Sequence, residues 1–419
     1  MNTNTERRRV VVTGMGALCP IGNTVEQIWA NARDGVNGIG QITLYDSSNQ
    51  KVHIAGEVKD FDPFEFLDKQ EARKQERFTH FARVATMQAM EQSGIQIADE
   101  DPYRCGVAIS SGIGSLDFIA RSQDRGHEKG FDRVSPHYIP ASITNSAAGN
   151  VAIQEGFKGE CTCVVSACAG GTNAIGEAMR AIRHGYVDVM LAGGAEACIT
   201  PLGVGGFTVM RALAEVDDPA AACKPFDLER SGFVIAEGAG ILVLEELEHA
   251  RARGAQILGE VCGYGYTCDA YHITAPDPCG DGAAASMRNA VLDAGLEPSQ
   301  IGYINAHGTS TPMNDKTEAA AIRAVFGDDA ATAGPLVSST KSMTGHMLGA
   351  TGAVEAIVSL MAIRDGFVPP NINYTTPDPD CEVNLVANKG VEAHFDYALS
   401  DNLGFGGHNA SVVVGRFVE

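Results

Sequence analysis

The sequence predicts an α/β fold on three observations. Short runs of β-branched and small apolar residues alternate with longer stretches of helical period, glycine and polar turn residues bound the runs, and the alternation occurs twice along the chain. In the first series, residues 10–13, 107–109, 163–165, 187–191 and 241–244 read as buried strands. Between the third and fourth of these, Ala174, Ile175, Ala178, Met179 and Ile182 share one helical face, with Arg180, Arg183 and His184 towards the end and Gly185 as the stop. That helix begins just after Cys168.

The second series starts at Ile257, with strands at 259–264, 301–305 and 336–339 and a long helix rich in alanine and glycine after His346. In both series a strand ends in small residues, passes through a polar turn and enters a helix, at 164–171 and again at 337–352. Two related halves, 1–255 and 256–419, are therefore expected, joined near 251–255. Residues 371–380, rich in Pro and Asp, read as an ordered surface loop.

Composition narrows the function classes. The 419 residues are 44% hydrophobic, enough for a sizeable core, and carry a net charge of -21. That charge disfavours bulk attraction to nucleic acid or anionic membranes, so neither is expected as a partner. Eleven cysteines, an odd number scattered through apolar stretches, fit a reducing, cytoplasmic environment. Arg7, Arg8 and Arg9 before Val10, Val11 and Val12 resemble the start of a signal peptide, but Thr13, Gly14 and Gly16 interrupt the apolar run, and a first strand is the better reading. No apolar segment approaches the roughly 18 residues of a membrane span.

Chemistry concentrates in three segments. In Val165, Ser166, Ala167, Cys168, Ala169, Gly170 and Gly171, a thiol stands at a strand-to-helix turn, where free N–H groups and the helix dipole are expected to lower its pKa. A buried structural cysteine would satisfy the same local pattern. Cys161 and Cys163 alternate onto one face of a strand and lack companion ligands at zinc spacing, so they read as small buried side chains and no metal is assigned. His307 (before Gly308, Thr309, Ser310 and Thr311) and His346 (after Lys341, Ser342, Met343, Thr344 and Gly345) each follow a predicted strand. Strand ends are where open α/β sheets bind ligands, so one Cys and two His at three such ends form a candidate site.

Gly14 and Gly16 lack the third glycine of a dinucleotide fingerprint and no phosphate-binding loop occurs, so no nucleotide cofactor is expected. A thiol exchanges readily with a thioester, and two imidazole N–H donors would stabilise an enolate formed by loss of carbon dioxide. Carbon–carbon bond formation is the reaction that suits this set.

Ser166, Ala167 and Cys168; His307 to Thr311; Lys341 to His346; and Gly404, Phe405, Gly406 and Gly407 together resemble the β-ketoacyl-acyl-carrier-protein synthases, in particular the synthase II branch, over almost the whole chain. The resemblance implies a thiolase-like fold of two pseudo-equivalent halves in an αβαβα arrangement, assembled as a homodimer. It implies that Cys168 carries the acyl chain, that His307 and His346 promote decarboxylation of malonyl-carrier protein, and that the N–H groups of Cys168 and Phe405 hold the oxyanion, with Phe405 as a gate. Thr309 and Thr311 match residues that bond the pantetheine arm, and Lys341 is expected to pair with Glu318. Ile113 and Phe207 match the acyl pocket, as does Tyr138, which stands where the branch usually has Phe. Arg73, Lys74, Arg133 and Arg211 are candidate docking residues for the acidic acyl carrier protein, which itself brings the phosphopantetheine; no separate cofactor is expected.

The rival readings are a polyketide ketosynthase, a noncatalytic carrier-protein-binding subunit and a cysteine hydrolase. Retention of Cys168 with both histidines argues against the second, and the third leaves one histidine without a task.

Overall fold

A computed structural model describes residues 7–419; the first six residues of the expected N-terminal half lie outside the described residues. Strand β1, Val10–Leu18, is buried along its whole length and longer than its apolar run predicts. Gly14 and Gly16 do not break it, because they lie beneath helix α1, Arg77–Ser93: a Cβ on Gly14 would stand 2.0 Å from the Ala89 carbonyl oxygen, and one on Gly16 1.9 Å from that of Ala85. Only glycine lets helix and strand approach so closely.

Nine further strands complete the main sheet: β2 Cys105–Ser110, β3 Cys161–Thr162, β4 Val189–Glu196, β5 Gly238–Glu246, β6 Gly259–Cys268, β7 Ile301–Asn305, β8 Leu336–Ser338, β9 Tyr397–Gly404 and β10 His408–Gly415. Their spatial order is β8-β7-β9-β10-β6-β1-β5-β4-β2-β3. Read outward from the centre, the two sides are β1-β5-β4-β2-β3 and β6-β10-β9-β7-β8. Each side begins with two antiparallel pairings and ends with two parallel ones. One topology is thus used twice, and the halves meet through a short ladder pairing Val11 with Glu260 and Val12 with Gly259.

The helices make the layers. Helix α1 covers the outer face of the first half. Helices α3, Asp281–Asp293, and α4, Pro312–Phe326, cover that of the second. Between the two five-stranded sides lie α2, Gly170–Arg183, and α5, Thr351–Asp365, packed on each other and within one core cluster. From Thr351 to Ile363 every residue of α5 is buried, and its apolar side chains point in all directions, as a central helix requires. Truncating Ile357 there would cost about 2–5 kcal/mol by leaving a cavity. The five layers form the expected αβαβα stack.

Three local expectations change. The third strand is Cys161–Thr162 instead of 163–165, because the chain leaves the sheet early to reach the turn at Cys168. Cys161 is exposed and Cys163 half-buried, since β3 is the outermost strand of its side. Residues 371–380 begin in the interior: Asn371 is buried, its Nδ2 donating to the Pro225 carbonyl, and Asp378 accepts from Arg230 at 2.5 Å. Among the described residues no helix is long and apolar enough to cross a membrane.

Candidate active site

The two halves deliver their functional side chains to the same level. Cys168 sits in a single 3-10 turn, Ala167–Ala169, immediately before α2, and Ala167 holds a left-handed φ of 49° to make the turn. Such backbone strain in a non-glycine residue is retained where the geometry has a use. In the second half, His307 follows β7, and His346 follows β8 through the turn Lys341–Thr344 and Gly345. The hairpin between β9 and β10 brings Phe405 over the same point. These four residues line one cavity of about 590 Å³, together with Phe207, Thr309, Thr311 and Arg211.

The imidazoles of His307 and His346 stand edge to face with centroids 5.2 Å apart. Both are buried, and burial drives both pKa values well below the usual histidine range, with the charge of Lys341 pushing the same way. They are therefore neutral at pH 7, each offering one N–H. His346 Nδ1 lies 3.0 Å from the Thr351 hydroxyl, and its Nε2 is buried with no hydrogen-bond partner among the described residues. An unpaired buried nitrogen facing a cavity is a place for a substrate oxygen.

Cys168 departs from expectation. Its thiol is pushed up to about 12, because burial outweighs the nearby Lys341 and the N–H groups of Phe405 and Cys168 itself that favour the thiolate. The helix terminus is present, but desolvation dominates it. Both N–H groups nonetheless face the sulfur, and Gly404 lets the hairpin come close: a Cβ there would stand 3.1 Å from the Cys168 nitrogen.

Lys341 pairs with Glu355, not Glu318: its Nζ lies 2.6 Å from Glu355 Oε1, both side chains being buried. The Lys341 turn abuts α5, whereas Glu318 on α4 turns to the His307 loop, accepting from Gly308 N–H at 2.7 Å and Asn314 Nδ2 at 3.1 Å. Thr309 and Thr311 share a hydrogen bond of 2.9 Å on the cavity wall. Ile113 and Phe207 pack in the same apolar cluster as Cys168. Tyr138 is not brought to this cavity; it lies on the short helix Tyr138–Ser142, its ring 6.0 Å from that of Phe118. Of the docking candidates, Arg211 lines the cavity, Arg73 and Arg133 are exposed on separate segments, and Lys74 is tied to Glu71 at 2.6 Å.

Sequence reasoning missed three residues. Glu196, fully buried at the end of β4, accepts from Gly112 N–H (2.7 Å), Ser111 Oγ (2.8 Å) and Gly349 N–H (3.1 Å), so it ties the Ile113 loop to the turn after His346. Asn402 and Glu355 stand behind His307. Glu196 and Glu355 are buried carboxyls inside apolar runs, and that interruption was the available signal, whereas Asn402 follows Ser400 and Asp401 and gave none.

A doubled, five-layered sheet that sets a cysteine at one helix terminus against two histidines from the other half defines a thiolase-like condensing-enzyme scaffold. Family comparison assigns residues 7–250 to "Beta-ketoacyl synthase, N-terminal domain" and 258–375 to "Beta-ketoacyl synthase, C-terminal domain". The chain belongs to the beta-ketoacyl synthase family. It is 49% identical over 415 residues, 99% of each chain, to a 3-oxoacyl-[acyl-carrier-protein] synthase 2 of Synechocystis. A Staphylococcus aureus protein of the same description is 49% identical over 412 residues, 98% of this chain and 99% of that one. Among solved structures, the ishigamide ketosynthase/chain length factor superposes with a TM-score of 0.92 at 37% identity, covering 99% of this chain and 100% of the other. A type II polyketide acyl-carrier protein in complex with its ketosynthase gives 0.90 at 36%, covering 98% and 100%.

Proposed function

We propose that this chain lengthens fatty acyl chains by decarboxylative condensation of malonyl-acyl-carrier protein with an acyl group held on Cys168. The observation that carries the reading is the pair of buried, neutral imidazoles facing a cysteine beneath two converging backbone N–H groups. The Cys168 sulfur attacks the acyl thioester, the C–S bond to the pantetheine breaks, and the thiol proton leaves with the departing pantetheine sulfur. The N–H groups of Cys168 and Phe405 hold the oxyanion of that step. Malonyl thioester then loses carbon dioxide, and its enolate oxygen takes hydrogen bonds from His307 and His346. The enolate carbon attacks the acyl carbonyl, the C–S bond to Cys168 breaks, 3-oxoacyl-carrier protein is released, and the departing Cys168 thiolate takes up a proton from solvent to restore the thiol.

In this reading Thr309 and Thr311 bond the pantetheine arm, Ile113 and Phe207 bound the acyl chain, and Phe405 gates the entrance. The pantetheine arrives on the carrier protein, which meets the positive charges of Arg211, Arg73, Lys74 and Arg133. Lys341 with Glu355 sets the field at the histidines, and Glu318 holds the His307 loop. Residues 1–255 and 256–419 act as the two duplicated halves. A second copy of the chain would pair along β3, where Val165 is 53% and Ile153 82% exposed beside an open strand edge. A cytoplasmic location accords with eleven unpaired cysteines.

Mass spectrometry after mixing with acyl-carrier protein, before and after malonyl-carrier protein, tests the reading. An adduct on Cys168 that vanishes as a 3-oxoacyl product two carbons longer appears is expected. Release of free acid without extension would replace this reading with hydrolysis.

A further inference from the structure

Asn402, on β9, occupies the junction between the halves. Its Oδ1 accepts from Thr172 Oγ1 on α2 at 2.6 Å. Its Nδ2 donates to Glu355 Oε2 on α5 at 2.8 Å and lies 3.2 Å from His307 Nδ1. The amide is fully buried, so each of these contacts replaces water. Gly352 makes the junction possible, since a Cβ there would stand 2.1 Å from Thr172 Oγ1 and 2.3 Å from Asn402 Oδ1.

The orientation of the amide follows from its neighbours. Glu355 is paired through its other oxygen with Lys341, so it acts as an ion that only accepts, and the NH₂ group must face it. The Thr172 hydroxyl then supplies the proton to Oδ1. One N–H of Asn402 is used on Glu355, and the second points at His307 Nδ1, which must accept it. An accepting Nδ1 carries no proton, and a neutral ring then carries its single proton on Nε2.

We propose that Asn402 is a positioning residue that fixes His307 as the Nε2–H tautomer, so that a permanent N–H donor faces the cavity. The inference rests on the reaction proposed above for the use made of that donor, but the tautomer stands on the geometry alone. His346 differs: its Nδ1 meets the Thr351 hydroxyl, which can donate or accept, so that contact leaves either tautomer open. His307 is thus the fixed donor to the enolate oxygen and His346 the adaptable one. Because Thr172 lies on the helix that follows Cys168, the same amide also holds His307 in register with the nucleophile.

The test is made on the full chain labelled with ¹⁵N-histidine, reading ring protonation by long-range ¹H–¹⁵N correlation. His307→Gln assigns the signal by its loss. The expected wild-type pattern is Nε2 protonated and Nδ1 bare from pH 6 to pH 8; an Nδ1–H ring overturns the proposal without any variant having to fold. Decarboxylation of a malonyl thioester is followed in parallel. In Asn402→Leu the donor to Nδ1 is gone, the tautomers mix, and kcat falls on the order of tenfold to a hundredfold with little change in KM. Asn402→Asp is isosteric and accepts a proton from Nδ1, so only the charged ring keeps Nε2–H. Its activity should be highest at low pH and fall as pH rises, where the wild type is flat.

The charged and titratable groups around the ring are Lys341, His346, Cys168 across the cavity, the buried carboxyl of Asp401, Glu318 through Gly308, and Glu355 through the amide. Both variants retain all of these residues; Glu355 loses the Asn402 N–H in both and faces a second carboxyl in Asn402→Asp, so the ring's tautomer is read by ¹⁵N in each variant beside its activity. Wild-type kcat and tautomer in Asn402→Leu would overturn the proposal. If the wild type shows the expected tautomer yet neither acylates Cys168 nor decarboxylates, the proposed reaction fails and the positioning role in it falls with it, distinguishably.

Discussion

Lys341 Nζ lies 2.6 Å from Glu355 Oε1, and neither side chain touches solvent. A buried pair of this kind is expensive to break, because removing one ion strands the other. Lys341→Met is expected to destabilise the fold by about 3–5 kcal/mol in urea unfolding, whereas a double change of Lys341→Met and Glu355→Leu recovers part of that loss. A single-variant loss under about 1 kcal/mol would show that Glu355 simply takes up a proton there.

The Cys168 thiol, raised to about 12 by burial, makes a prediction about pH. Below its pKa the thiolate fraction rises about tenfold per pH unit, so alkylation by iodoacetamide should climb steadily from pH 6 to pH 9 without levelling. Lys341 opposes the burial, so Lys341→Met should slow the reaction at every pH. A plateau below pH 8 would mean that the helix terminus overrides desolvation after all.

Docking gives a third prediction. Arg211 lies on the cavity wall and Arg73 on the surface, over the ring of Phe64. Arg211→Glu and Arg73→Glu should each raise KM for carrier-protein substrates by about tenfold, with the effect shrinking at high salt, and leave decarboxylation of a small malonyl thioester unchanged. Equal losses with both substrates would remove these residues from docking.

Much of this molecule was legible in its sequence, for reasons tied to particular residues. β7 was read at its true limits because Ile301 to Asn305 is a clean buried run ending in a polar turn. Cys168, His307 and His346 stood out as chemistry-bearing side chains at three strand ends, and the fold brings them to one cavity. The thiol pKa was not legible, because desolvation depends on what closes over Cys168 from the other half of the chain. The partner of Lys341 failed similarly: Glu318 and Glu355 both lie on helices nearby in sequence, and only packing decides which one the ammonium meets. Asn402 follows Ser400 and Asp401 in a strand with a polar middle, so nothing in the chain singles it out until Thr172, Glu355 and His307 surround it.

A last prediction concerns stability away from the cavity. His249 is held between two carboxylates, Nδ1 2.8 Å from Glu245 Oε2 and Nε2 2.8 Å from Glu100 Oε2. Glu245 is fully buried and also accepts from Arg253 and Thr13, so the cluster links β1, β5 and the segment after it. The hydrogen bond to Glu245, reinforced by Glu100 and opposed by burial, raises the His249 pKa to about 9. The folded value lies above the unfolded value of about 6.5, so the folded state binds the proton more tightly. The contribution is complete below about pH 6.5 and is lost as pH climbs through 9, and with solvent screening at this partly exposed ring it amounts to about 2 kcal/mol. Urea midpoints measured from pH 6 to pH 9.5 should fall over that window in the wild type. His249→Gln keeps a hydrogen-bonding side chain without the titration, so its midpoints should start lower and vary less with pH. An equally steep fall in that variant would assign the pH dependence to another group.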